Sequence, residues 1–511
     1  MAETSIIDKK KIAQNSMYMY FRMIVVMIVQ LYTSRVVLAN LGLENYGIWN
    51  VVASFIIAFT FIKSPIGTSV QRFLNYEMGL ENGGNSIKVF NSSILIYGVL
   101  SVIFFLVLEL AGNWFVINKM QIPPGRESAT LFTLQLTILS LITNLFKVPF
   151  ESLVIAQEKM SFYAVQSIVE IFLKLFNALS LSFFTVDKLE LFVCNYWGID
   201  LSLLIITVLY CRKRFPLYQL SSQYDKKIIQ RIMSFTGWTL LGALSGICVT
   251  QGLNLLLNLF CGVLVNAAIG VASQVNGAVN AFVTNFQTAF KPQIMKGYAA
   301  NEINELKILI NQTSKFSYIL LFAITCPFLL NCDYILNLWL KEVPLYTNEM
   351  CSLLLLENLL YALSGPMWMT IYATGKLKWY QISIFLIEIS TLPLSYWLLI
   401  VGMPPYSVIF CKCCVSLFIL VDRLYFLKRT IDFSVRQYVY TIMSPIFVCS
   451  TISVLAILPI NRIFPDGFYK LVITTISFLL LFLSSIYFIA LTKTEKIQAR
   501  RTVNKMISIL R

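Results

Sequence analysis

Histidine is absent from the 511 residues, and charged side chains make up only 13% of them. The first absence removes the commonest general base, metal ligand and neutral-pH switch together, so hydrolytic or metal chemistry is not expected. The second excludes a soluble globule, in which about a quarter of residues are charged. Long polar loops are missing too: none clearly exceeds about twenty-five residues, which leaves no room for an extramembrane catalytic domain. Acidic residues are scarce beside basic ones, 25 against 40. The eleven cysteines are scattered through apolar runs without metal-site spacing, and Cys411, Cys413 and Cys414 open an apolar segment; they read as small buried hydrophobes.

What is present is apolar sequence, 58% of the chain with a mean hydropathy of +0.74. Runs of 18 or more apolar residues are long enough to cross a hydrocarbon layer of about 30 Å as helices. They predict fourteen spans, near 14–38, 46–72, 90–111, 128–156, 162–184, 189–211, 232–259, 264–290, 315–332, 349–372, 380–401, 405–427, 438–458 and 468–491. No secretory signal is expected, because the first apolar segment is long, carries Arg22 and Arg35, and lacks a small-residue cleavage site. On this map 26 of the 40 Lys and Arg fall in the tails and even-to-odd loops and six in the opposite loops. The positive-inside rule then puts both termini in the cytoplasm. The formal charge of +15 therefore faces anionic lipid headgroups, and nucleic acid is not an expected partner.

The longest interior loop divides the first twelve spans into six and six. The expected organisation is an N-terminal lobe at 1–211, a cytoplasmic linker at 212–231, a C-terminal lobe at 232–427, two further spans within 438–491 and a basic tail at 492–511. Span two with "QRFLNYEMGLENGG" after it and span eight with "KPQIMKGYAANEINE" after it share a small- and amide-bearing helix followed by a basic, tyrosine-containing stretch. Such an echo fits a parallel repeat of two halves.

Polar residues within spans carry the functional reading, because a charge at bilayer depth costs about 2.5–3.5 kcal/mol on insertion scales and usually faces a bundle interior or wet cavity. In "MYMYFRMIVVMIVQLYTSRVVL" (17–38), Tyr18, Arg22 and Thr33 fall near one helical line with Asn15, and Gln30 lies at its edge. Arg35 points elsewhere and can snorkel. In span five Gln166, Glu170, Lys174 and Asn177 form one stripe, with Glu170 four residues before Lys174 in the favourable order for an ion pair. Span four adds Ser140, Asn144 and Lys147, and span two adds Lys63. Spans seven and eight are amide-rich, with Gln251, Asn254 and Asn258 in one and Asn276, Asn280, Thr284 and Gln287 in the other. Later spans contain Glu357, Glu388 and Lys412, and prolines at 65, 149, 327, 366 and 393 are expected to interrupt helices.

The stretches "LANLGLENYGIWNVVAS" (38–54), "GWTLLGALSG" (237–246), "QGLNLLLNLFCG" (251–262), "VNAAIGVASQVNGAVNAF" (265–282) and "KPQIMKGYA" (291–299) resemble the Wzx-type O-antigen flippases. Those belong to the multidrug/oligosaccharidyl-lipid/polysaccharide (MOP, MATE-like) exporter superfamily. The resemblance implies an all-α polytopic membrane protein with two six-helix lobes around a central cavity and two extra C-terminal helices. It also implies a transporter rather than an enzyme, in the bacterial inner membrane. The implied cargo is an undecaprenyl-diphosphate-linked oligosaccharide used for surface polysaccharide biosynthesis, and polysaccharide polymerase machinery is an implied partner.

On that reading Arg22, Lys63, Lys147 and Lys174 are candidates for the diphosphate. Tyr18, Asn144, Gln251, Asn254, Asn258, Asn276 and Asn280 are candidates for the glycan, and Glu170 and Glu388 for coupling to H+ or Na+; no cofactor or metal is expected. The sequence departs from a strongly cationic cavity, since basic and acidic residues within spans are nearly balanced and the basic excess lies in the first lobe. A cation-coupled multidrug exporter of the same superfamily is the alternative, with Glu170 or Glu388 as its binding group.

Overall fold

A computed structural model describes residues 9–497, apart from 58–62, 81–83, 119, 121, 123, 185, 220, 222, 223, 341, 342, 466 and 494. The described residues are helices joined by turns, with no strand among them. In chain order the helices are α1 (Lys9–Ile57), α2 (Lys63–Gly79), α3 (Ser86–Asn118), α4 (Glu127–Ala156), α5 (Met160–Ser180), α6 (Lys188–Arg214), α7 (Lys226–Cys261), α8 (Val263–Ala299) and α9 (Ile303–Leu330). They continue as α10 (Cys332–Trp339), α11 (Thr347–Thr374), α12 (Lys378–Ile389), α13 (Thr391–Ile400), α14 (Ser407–Ile431), α15 (Val435–Tyr438), α16 (Ser444–Ile463) and α17 (Phe468–Ser485), with one-turn π segments at Val439–Met443 and Ile486–Ala490.

Among the described residues eleven helical segments are long and apolar enough to cross a membrane, so the chain is an all-α, multi-pass membrane protein. Three of the fourteen expected spans fall outside that set, each for a visible reason. Gly42, at φ +75°, breaks α1 in two, which leaves only a short helical stretch before 58–62, outside the described residues. In α8 the amides Asn266, Gln274, Asn276 and Asn280 lower the hydropathy. α14 carries Lys412, Asp422, Arg423, Lys428 and Arg429.

The expectation that proline interrupts the helices needs correction. Pro149, Pro327 and Pro366 lie inside continuous α4, α9 and α11. Pro65 sits in the first turn of α2, where its missing N–H has no intrahelical partner to lose. Only Pro393 adjoins a break, the one between α12 and α13.

The described residues cluster into two compact units, one drawn from Met1–Leu244, Thr288–Glu302 and Tyr372–Gln381, the other from Ser245–Gln287, Ile303–Ile371 and Ile382–Arg511. In the first, α1 packs along α5, and α4 packs on α2, α3 and α6. Phe90, Tyr97, Leu134, Ile138 and Leu153 are buried there, with the Phe90 ring 5.5 Å from Phe150 and 5.8 Å from Tyr218. In the second, α17 packs on α9 through Phe322, whose ring lies 5.1 Å from Phe482 and 5.8 Å from Phe478, and α16 through Tyr318, whose ring lies 5.8 Å from Phe447.

Lipid tails are as apolar as these side chains, so close packing and interhelical hydrogen bonds hold such contacts rather than transfer from water. Large apolar residues such as Leu110, Phe176 and Leu480 stay exposed on the outer helix faces, as a lipid-facing surface requires.

Candidate functional site

Within the first unit, a cavity of about 500 Å³ opens among α1, α2, α4, α5 and α6. Helical register explains which residues reach it. On α5, Tyr163, Gln166, Ser167, Glu170, Ile171 and Lys174 recur at three- and four-residue steps and so share one face. Asn144, Lys147 and Glu151 do the same on α4, and Arg22, Val26, Gln30, Thr33 and Val37 on α1. Lys63 enters from the first turn of α2. Beyond the break at Gly42, the second part of α1 contributes Tyr46 and Trp49, and α6 contributes Phe192 and Tyr196.

The charges along this face alternate in sign. Lys147 Nζ lies 3.1 Å from Glu151 and 3.7 Å from Glu170. Glu170 also accepts from Lys174 at 2.7 Å, and Lys174 is in turn 3.8 Å from Asp200. Asp200, on α6 and almost fully buried, accepts from the Ser140 hydroxyl and from Asn144 Nδ2, the latter at 2.9 Å. The result is a connected string, Glu151–Lys147–Glu170–Lys174–Asp200, in which no charge is stranded. Burying an ion in a low dielectric is tolerable only when every member has a partner.

Two further cations line the cavity. The Arg22 guanidinium sits over the Tyr163 ring, 4.9 Å from its centroid. Lys63 makes no ion pair or hydrogen bond with any described residue, and its charge acts on Glu170 across the cavity.

Aromatic rings collect around Lys174. Its ammonium is 4.4 Å from the Tyr196 centroid, and Trp49 stands 5.3 Å from Tyr196 and 5.2 Å from Phe192. Each contact is within the range of ring–ring and cation–π attraction.

All four basic residues assigned to a diphosphate, Arg22, Lys63, Lys147 and Lys174, line this one cavity, together with Glu170 and Asn144. The remaining assignments are not brought to it. Tyr18 lies one turn before Arg22 on α1 and accepts from Gln14 at 3.5 Å instead. Gln251, Asn254 and Asn258 on α7 and Asn276 and Asn280 on α8 belong to the second unit. There Gln251 and Asn258 are exposed, and Asn276 accepts from Asn358 at 2.6 Å. Asn177 of the α5 stripe is buried and donates to the Phe192 carbonyl at 3.0 Å. Glu388, also in the second unit, accepts from the Ser245 hydroxyl.

The spacing of polar residues does not single out Tyr46, Trp49, Phe192 and Tyr196 of the lining, or the part played by Asp200. An acid in the apolar run "YWGIDLSLL" was the available signal for the latter. Among the described residues no group of His, Cys, Asp and Glu could hold a metal ion.

No protein-family model and no curated protein matches the sequence. Solved structures do match in fold. A multidrug resistance MATE family transporter of the MOP superfamily, in an outward-facing conformation, aligns with a TM-score of 0.68 at 11% identity, covering 84% of this chain and 97% of its own. A MOP superfamily transporter from Pyrococcus furiosus, described as having a binding pocket of reversed polarity that suggests a different function, aligns at 0.68 and 11%, over 82% and 96%. A variant of the Vibrio cholerae MATE transporter VcmN aligns at 0.62 and 16%, over 83% and 97%. The chain therefore has the MATE-like fold.

Proposed function

We propose that the protein is a flippase that carries undecaprenyl-diphosphate-linked oligosaccharide repeat units from the cytoplasmic to the periplasmic leaflet of a bacterial inner membrane, by alternating access and with both termini cytoplasmic. The observation that carries this reading is the convergence of Arg22, Lys63, Lys147 and Lys174, from four different helices, on one cavity. A diphosphate resists entering hydrocarbon and needs cations, and charge-assisted contacts to phosphate oxygens are about twice as strong as neutral ones. The lining holds two more basic than acidic side chains, since only Glu151 and Glu170 oppose the four. Counting Asp200 beside Lys174, the site still carries one net positive charge, which favours an anionic ligand such as a diphosphate diester.

Glu170 bridges Lys147 and Lys174, which makes it the group through which H+ or Na+ would loosen or restore the string; Glu388 is the corresponding proposal for the second unit. Anionic lipids at the basic loops and the polysaccharide polymerase machinery are the proposed partners. Deleting the gene should make lipid-linked repeat units accumulate on the inner leaflet. Restoration by the wild-type chain but not by Arg22→Gln or Lys63→Gln protein, present in the membrane at equal amount, is the expected result; full rescue by both variants would end the assignment.

A second reading has its own support. The carboxylates of Glu151 and Glu170 line the same cavity beside the rings of Tyr46, Trp49 and Tyr163, an arrangement that suits an amphipathic organic cation, and a multidrug resistance transporter is among the fold relatives. Purified protein in vesicles separates the two: gradient-driven uptake of organic cations with no movement of a diphosphate lipid favours the exporter.

A further inference from the structure

The cavity is longer than a diphosphate requires. From Tyr163 to Lys174 it follows α5 for eleven residues, about 16 Å at 1.5 Å per residue, several times the reach of two linked phosphates. Its two ends differ in chemistry. Arg22 over Tyr163 marks one. The other is walled by Trp49, Phe192 and Tyr196 around Lys174.

The ring-bearing wall is also held in place. Gly42 turns the chain at φ +75°, so Trp49 approaches on a helical segment set apart from the one that carries Arg22. That segment is tied on both sides of the turn. Asn40 Nδ2 donates to the Ala178 carbonyl at 3.0 Å, and Asn40 Oδ1 accepts from Ser182 at 2.8 Å. Arg126 bridges Asn45 to Asp187, whose carboxylate caps α6 by accepting from the Leu189 and Glu190 amides. A rigid, half-buried indole beside a phenol, inside a polar cavity, is costly to maintain as mere filling, because Leu or Phe would pack without a polar edge to satisfy.

We propose, building on the flippase reading, that Trp49 and Tyr196 form a saccharide platform: the first sugar attached to the diphosphate lies with its C–H face on these rings while the phosphates engage the cations toward Arg22. Apolar ring faces match the C–H face of a pyranose, and the ring edges and neighbouring amides are left to its hydroxyls. The unit would thus recognise the diphosphate–sugar junction rather than the diphosphate alone. The ordinary alternative is that Trp49 is only a packing residue between α1 and α6.

The test uses the full chain in lipid nanodiscs and two probes, a short-chain polyprenyl diphosphate and the same molecule bearing one N-acetylhexosamine, with binding measured by calorimetry. Wild-type protein is expected to bind the sugar-bearing probe at least about tenfold more tightly, a difference of about 1.4 kcal/mol. Trp49→Ala should bring the two affinities to within about twofold, the sugar-bearing probe losing far more than the sugar-free one, and Trp49→Phe, which keeps a ring face, should retain most of the preference. Equal weakening of both probes in Trp49→Ala, or no sugar preference in the wild type, overturns the platform while sugar-free binding still upholds the diphosphate reading. Failure of the wild type to bind either probe overturns the diphosphate reading, and the platform falls with it.

Discussion

The first unit holds separate buried pairs such as Lys296–Glu158, 2.7 Å apart, but along its cavity it arranges charge differently from the second unit. In the first, five ionised side chains from three helices form one string along a cavity wall, each interior member touching two others. In the second, the short contacts are pairwise, with Lys412 3.0 Å from Glu357, Glu388 taking the Ser245 hydroxyl, Asp422 taking that of Ser383 at 2.7 Å and Arg423 donating to Ser364, while Lys412, Arg423 and Glu357 act on Glu388 only at longer range. Lys315 and Glu495, 2.6 Å apart, are the driest pair, with 1% and 7% of their side-chain surfaces exposed. A string can lose or gain a charge and redistribute its contacts. An isolated pair cannot, and pins one helix to another. The contrast separates charge that is free to serve a ligand from charge that serves packing.

The largest effect should come from breaking the driest pair. Lys315→Met leaves the Glu495 carboxylate buried with only the Thr492 amide to satisfy it, and removing one partner of a buried pair costs about 3–5 kcal/mol. Thermal unfolding in detergent should show a large drop in Tm, and Glu495→Met added to it should recover most of the loss, because a buried pair replaced by apolar residues is often neutral. Lys174→Met is the matched change in the string. Glu170 retains Lys147 and Asp200 retains Ser140 and Asn144, so the stability loss should be clearly smaller while transport is lost. Equal destabilisation by the two changes would erase the distinction between string and pair.

Next in size are the cavity cations Arg22 and Lys63. Arg22→Gln and Lys63→Gln each remove a charged donor to phosphate, and hydrogen bonds to charged groups contribute about 1.5–3 kcal/mol. Binding of a prenyl diphosphate should weaken roughly 10- to 100-fold in each, with a smaller loss of Tm than Lys315→Met causes, because glutamine keeps a polar side chain at the cavity wall. Lys412→Gln in the second unit should reverse the pattern, lowering Tm and sparing the affinity. A smaller, qualitative effect is expected of Glu170→Gln. The amide can still accept from Lys174 but cannot titrate, so transport should persist at a reduced rate and lose its dependence on an imposed proton gradient; undiminished dependence would remove Glu170 from coupling.

Much of this site is legible in the sequence because a helix converts spacing into a face. Gln166, Glu170 and Lys174 are aligned by their four-residue steps whatever the partner helix, and a basic residue deep in an apolar run has few places to go but inward. The same logic fails where the chain leaves the ideal helix or where orientation depends on packing. Gly42 breaks α1, so no helical line drawn through Arg22 leads to Tyr46 or Trp49. The three expected spans outside the eleven apolar helices of the described residues lie at that break and at α8 and α14, whose polar side chains pair with other helices. The amides of α7 and α8 show the limit most clearly. Their periodicity equals that of α5, yet an uncharged amide can satisfy itself against one neighbouring side chain or backbone group, and spacing does not distinguish that from a ligand site.

Those amides supply the smallest expected effect and the finest test of the contrast. Asn144 is within the string's reach, donating to Asp200 and lining the cavity; Asn276 is satisfied by Asn358 in the second unit. Interhelical hydrogen bonds of either kind average about 0.6 kcal/mol in membranes, so Asn144→Ala and Asn276→Ala should lower stability by similar, small amounts. They should differ in function. Loss of Asn144 frees Asp200 to draw Lys174 closer and so withdraws a cation from the cavity, weakening diphosphate binding severalfold, whereas loss of Asn276 leaves every cation of the first unit where it is and should not change the affinity. If Asn276→Ala weakens diphosphate binding as much as Asn144→Ala does, then the second unit's amides take part in ligand recognition, and the division of labour between string and pairs is drawn in the wrong place.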